Sequence, residues 1–165
     1  MIKVSFDKLE EAFLNSSDEI SYWLDKKMGK VIFISSEFLD DAAYFEEKEE
    51  LQAAREILMM CGDIENGENI EIDENRYLEI ISPNSNENYK IMEEFTVFQV
   101  ENERLQNKLT DALRGRKPFR RFKDVLIYEP DTEKKWFEFE AKKLREYIED
   151  WAESEKIEID FADDK

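Results

Sequence analysis

The sequence predicts an α+β fold: a small, mainly antiparallel sheet from the N-terminal half, packed against helices that come mostly from the C-terminal half. Two observations carry this. Before Ser82 the apolar residues fall in short β-branched and aromatic runs, whereas after Asn86 they recur every three or four positions. Between two such early runs, Ile20 to Leu24 and Lys30 to Ile34, stands Asp25-Lys26-Lys27-Met28-Gly29, a hairpin turn with Gly29 expected at positive φ. Strands first and helices afterwards define the α+β class. With 165 residues and 41% hydrophobic positions, the whole span 1–165 is expected to be a single domain with a real core.

In order along the chain, Ser5 is expected to cap a short helix bearing Phe6, Leu9, Phe13 and Leu14. The hairpin follows. Ser36 opens a helical region that runs to Cys61, with Glu46-Glu47-Lys48-Glu49-Glu50 as a solvated bend or face. Asp63 to Glu74 is an acidic loop. It fails as a calcium loop, because the glycine that such a loop needs at its sixth position sits one residue early, at Gly67. Arg76 to Ile81 reads as a strand ended by Ser82-Pro83-Asn84. Ser85 or Asn86 then caps a helix carrying Tyr89, Met92 and Phe95, and Leu105, Leu109, Ala112 and Leu113 form the stripe of the next. Pro118 suits the first turn of a third helix, with Gly115 expected to close the preceding one in a left-handed conformation. Asp131 or Thr132 starts a long helix to about Ala152, and Ile157, Ile159 and Phe161 alternate as a last strand before a frayed end.

Charge patterning singles out one place. The chain carries 24 Lys+Arg against 42 Asp+Glu, a net charge of −18, yet residues 114 to 123 hold Arg114, Arg116, Lys117, Arg120, Arg121 and Lys123 with no acid. On a helical projection Phe119, Phe122, Val125 and Leu126 share one face, and Lys117, Arg120, Arg121 and Asp124 share the other. The aromatics, Phe119 and Phe122 above all, are expected to anchor this helix to the core while the cations line its outer side. Arginine forks suit phosphate or carboxylate groups. The candidate anion- or partner-binding residues are therefore Arg116, Lys117, Arg120, Arg121 and Lys123, with Asp124, Trp136 and Glu140 in support. The bland alternative is that the surplus acids satisfy these cations. Glu140 projects among Trp136, Leu144, Tyr147 and Trp151, so it is expected to be partly buried and paired with Arg120 or Arg121.

The box Gly115-Arg116-Lys117-Pro118-Phe119-Arg120-Arg121-Phe122-Lys123-Asp124, followed by Trp136 and Phe139, resembles the Gly-Lys-Gly-Ala-Phe-Arg-Arg-Phe-Lys-Asp-like box of a widespread bacterial family of uncharacterised proteins in the numbered UPF series. Tyr22-Trp23-Leu24-Asp25 with Gly29-Lys30-Val31, Arg76 to Ile80, and Tyr89, Met92 and Phe95 are similar to further segments of that family. Lys117-Pro118 stands where the pattern has Gly-Ala, and Met28 where it has Thr. The resemblance implies a shape and no activity.

Three function classes remain. The first is a cytosolic binding or regulatory module that holds a small anionic ligand or a protein partner on the Arg120/Arg121 box. The second is an acidic surface that mimics nucleic acid or docks on a basic partner. The third is a carboxylate- or metal-dependent enzyme, against which the absence of any recognised motif weighs. The chain has no His, which removes His-based triads, bases and zinc ligands. Its four glycines are too scattered for a phosphate loop, and its single Cys61 lies in an apolar helix end as an inert core residue. No cofactor and no metal are expected. Ordinary duplex nucleic acid is disfavoured by the overall charge. No membrane span and no signal peptide are legible, and a cytoplasmic location is expected.

Overall fold

A computed structural model describes residues 1–35 and 76–161. The expected helical region from Ser36, Cys61 and the acidic loop lie outside the described residues. The architecture is α+β: a three-stranded antiparallel sheet comes from the N-terminal half, and four of the five helices among the described residues come from the C-terminal half. The chain divides into two compact units, Met1–Ser82 with Ala152–Lys165, and Pro83–Trp151.

In the first unit, β1 (Ile2–Ser5) leads directly into α1 (Phe6–Asn15), whose buried stripe is Phe6, Leu9, Ala12 and Phe13. Ser5 stands at the cap position as expected, but its side chain makes no capping hydrogen bond. The antiparallel sheet has the order β3-β2-β4, with β2 (Ile20–Asp25) in the centre, β3 (Lys30–Ser35) on one side and β4 (Tyr77–Ile80) on the other. Trp23, Leu24, Ile34 and Ile80 are its buried apolar residues. Gly29 has φ +66°, and a Cβ there would come within 2.7 Å of the Lys3 carbonyl oxygen. The turn thus needs glycine twice, for its left-handed backbone and for its approach to β1.

The last strand, β5 (Ile157–Asp160), pairs in parallel with β1, matching Ile2 to Ile157 and Val4 to Ile159. The sequence predicts β5, whereas β1, only four residues long, is not among the strands it predicts. Lys3 and Asp160 close this pair with a 3.0 Å ion pair.

The second unit is helical: α2 (Ser85–Phe98), α3 (Glu103–Arg114), α4 (Pro118–Leu126) and α5 (Pro130–Ser154), whose last turn belongs to the first unit. The cap of α2 is Asn84, one residue before the two that were expected. Its side chain accepts from the Glu87 amide at 3.0 Å, and Glu87 accepts from the Asn84 amide at 2.7 Å, a reciprocal capping box. Asn102 caps α3 in the same sense, accepting from the Leu105 amide. Pro130 occupies the first position of α5, so Asp131 and Thr132 lie inside its first turn rather than capping it.

The core of this unit joins Phe95 of α2, Leu109 and Leu113 of α3, Phe122 and Leu126 of α4, and Trp136 of α5. Phe95, Phe122 and Trp136 meet edge to face, with centroid distances of 5.0 to 6.3 Å, the arrangement that aromatic quadrupoles favour.

The backbone before α4 differs from expectation. Gly115 is extended, at φ −90° and ψ −172°, and the left-handed residue is Lys117, at φ +53°. The chain turns there because Pro118 holds the next residue in helical φ and the loop from α3 is only three residues long. A non-glycine residue in this region is disfavoured by roughly 1–2 kcal/mol. Lys117→Gly is therefore expected to raise stability by up to about 1 kcal/mol, after the entropy of glycine is set against the relief. Urea denaturation checks this, and a lower midpoint for the variant would contradict it.

Candidate functional site

Helix α4 separates its faces as its pattern dictates. Phe122 and Leu126 are 0% and 1% exposed, and Phe119 and Val125 are half-buried against the same core. Arg116, Lys117, Arg120, Arg121, Lys123 and Asp124 are all exposed. Arg120 reaches Asp124 at 4.0 Å, the outer limit of an ion pair between two exposed groups. Such contacts contribute little. Among the described residues, Arg116, Lys117, Arg121 and Lys123 make no ion pair within that limit. Among the described residues, the acids therefore do not neutralise these four cations at close range.

The start of the helix adds to the same field. Lys117 at its N-cap makes no side-chain capping bond, and Pro118 follows without an N–H. The first-turn amides point toward the region that Arg116 and Lys117 flank. Arg121 bends back toward this end, as helical side chains do. Its guanidinium lies over Gly115, so close that a Cβ on Gly115 would overlap Nη1 and stand 2.9 Å from Cζ.

The support expected from α5 is divided. Trp136 is buried at 2% exposure and forms the floor under Phe122. Its indole Nε1 is buried with no hydrogen-bond partner among the described residues. Glu140, in contrast, is exposed, and among the described residues it forms no ion pair with Arg120 or Arg121. The reason lies one turn away. Phe139 packs on the Phe95 ring at 5.5 Å, and Lys143 binds Glu94 at 2.9 Å while lying over Phe139. The inward direction at this level of α5 is set by Phe139 and Lys143, which rotates Glu140 to the rim. Partial loss of water still pushes the Glu140 carboxyl above its ordinary value, with Lys123 pulling it back. Farther along, Ile148 and Ala152 are buried, whereas Leu144, Tyr147 and Trp151 are half-buried; before Glu140, Phe137 is 56% exposed.

A groove of about 480 Å³ runs beside the box between α3 and α4, bordered by Lys108, Asp111, Arg121, Asp124, Tyr128 and Glu129. Its charges are mixed, which makes the groove itself a poor receptor for a polyanion. A second groove, of about 420 Å³, lies between α2 and α3 and is mainly apolar, with Tyr89, Val97, Phe98, Leu113 and Arg114 on its walls. Among the described residues no group of three or more Asp, Glu or Cys side chains is placed to hold a metal ion, and no helix is long and apolar enough to cross a membrane.

One charged cluster had no signal in the sequence beyond its residue types. The Asp25 carboxylate, 2% exposed, accepts from Arg76 Nε at 3.0 Å and Nη2 at 2.6 Å, and from the Lys27 and Met28 amides of the hairpin turn. Burial would raise the Asp25 carboxyl, but Arg76 and the two amides outweigh it and hold it below its ordinary value. The partners are 51 residues apart, so only the fold joins them. Their place at the end of a hairpin is that of a structural clamp.

The molecule is thus defined as a small α+β protein of net charge −18 in which, among the described residues, α4 presents an exposed basic face. Comparison with known proteins places it further: the chain belongs to the uncharacterised protein family UPF0158, whose family model matches residues 1–165. A UPF0158 protein of Pseudomonas aeruginosa is 28% identical over 158 residues, covering 96% of this chain and 88% of that protein. No solved structure matches the chain.

Proposed function

We propose that this protein is a cytosolic binding or regulatory module, and that the start of α4 is its working surface, holding a small, phosphate-rich ligand through Arg116, Lys117, Arg120 and Arg121. The observation that carries this reading is that Arg116, Lys117 and Arg121 stay exposed and make no ion pair within 4.0 Å among the described residues, and Arg120 only a 4.0 Å contact with Asp124, in a chain whose net charge is −18. Mobile side chains in an acidic protein would ordinarily find carboxylates. The buried Phe122 and Leu126 fix the helix beneath them, so the cations are presented from a firm base. The overall charge favours a compact polyanion over a long duplex, since a duplex would extend its phosphates across the acidic body.

Inorganic tripolyphosphate serves as the probe. Titration calorimetry at low salt is expected to show binding that weakens as salt rises. Because hydrogen bonds to charged groups contribute about 1.5–3 kcal/mol each, Arg120→Ala and Arg121→Ala should each weaken binding about tenfold or more. A double variant that binds as the wild type does, or a wild type that does not bind, would overturn the reading.

A further inference from the structure

We propose that Gly115 is a positioning residue for Arg121: its missing side chain is the seat in which the Arg121 guanidinium rests, which holds that cation at the start of α4 and away from the carboxylates beside it. Glycine is normally retained for backbone freedom, but Gly115 at φ −90° and ψ −172° is in extended backbone that any residue adopts. What glycine supplies here is space. A Cβ would overlap Nη1 of Arg121, stand 2.9 Å from Cζ and lie 3.7 Å from Nε, so three of the four heavy atoms of the guanidinium lie against this one position.

The seat has an electrostatic consequence. Arg121 borders a groove with three carboxylates, Asp111, Asp124 and Glu129. Free rotamers of an exposed arginine would reach one of them. Resting on Gly115, it makes no ion pair within 4.0 Å among the described residues, and its charge stays available beside Arg116 and Lys117. The planar guanidinium suits such a seat, because it can lie flat on a peptide where the compact ammonium of lysine cannot.

This inference rests on the reading of α4 as an anion surface for its functional meaning, and it has a readout of its own. Gly115→Ala is expected to fold normally, with a urea midpoint at or above that of the wild type, because alanine is compatible with this backbone and the displaced atoms end a flexible side chain. In 15N relaxation the Arg121 Nε–H of the wild type is expected to be ordered, and in Gly115→Ala to become mobile. Tripolyphosphate affinity should fall about as far in Gly115→Ala as in Arg121→Ala, roughly tenfold, and adding Gly115→Ala to Arg121→Ala should change nothing further. An Arg121 Nε–H equally mobile in both proteins overturns the seat. So does a Gly115→Ala protein that binds like the wild type while Arg121→Ala does not, or an additional loss in the double variant. If the wild type binds no tripolyphosphate, the reading of α4 fails, while the relaxation result still decides on the seat.

Discussion

Arg76→Ala is expected to lower the stability of the first unit by about 3–5 kcal/mol. The variant removes the partner and leaves the charge: the Asp25 side chain is 3% exposed and would remain a buried carboxylate with only the Lys27 and Met28 amides. It also removes a guanidinium that lies over the Tyr77 ring at 5.1 Å. Arg76→Lys should recover only part of the loss, because the ammonium cannot replace a two-toothed contact through Nε and Nη2.

The pH dependence separates this clamp from ordinary packing. The Asp25 carboxyl titrates lower in the folded chain than in the unfolded one. Its contribution is therefore fully present above the unfolded value of about 3.9 and is lost as pH falls through the folded value. The difference in stability between wild type and Arg76→Ala should shrink over that acid range. Urea denaturation at pH 7 and at pH 3, with amide exchange of Trp23 and Leu24 reporting the sheet, measures both parts. A loss under 1 kcal/mol at pH 7, or a difference that grows on acidification, would show that the pair does not hold this sheet.

Phe122→Ala should lower the stability of the second unit by about 3–5 kcal/mol. The ring is fully buried and meets Phe95 and Trp136 edge to face, so truncation removes two aromatic contacts and opens a cavity at the centre of the core. Phe119 was expected to anchor the helix equally, but it is only half-buried at the first turn of α4. Phe119→Ala should therefore cost clearly less, since solvent can fill part of the space it leaves. Thermal unfolding of the two variants side by side gives the ranking, and equal losses would mean that the two positions are equally enclosed. Because α4 is held from below by Phe122, the destabilised variant should also lose tripolyphosphate binding, whereas Arg121→Ala should lose binding with little change in stability.

Features that depend on a few neighbouring residues were legible in the sequence. The change of apolar period marked the sheet and the helices, and Gly29 marked the hairpin. The box divided into a largely buried aromatic face and an exposed cationic one. Each of these follows from side chains within one or two turns of each other, where spacing alone sets direction. The cap of α2 is Asn84 and not Ser85 or Asn86: all three are good caps, and only the reciprocal bond with Glu87 chooses among them.

The tertiary structure decided the rest. The parallel pairing of β1 with β5 and the clamp of Asp25 with Arg76 join residues far apart in the chain, and no local pattern encodes such a meeting. Glu140 was placed inward by a wheel that treats a 25-residue helix as having one face, but Phe139 on Phe95 turned that face away from it. The left-handed residue proved to be Lys117, because a three-residue loop into a proline fixed where the chain had to turn, and Gly115 was left free to serve Arg121. By itself the sequence determined which residues are apolar and which are cationic on each element. Packing determined which way each element faces, because burial is shared among elements that the sequence lists one at a time.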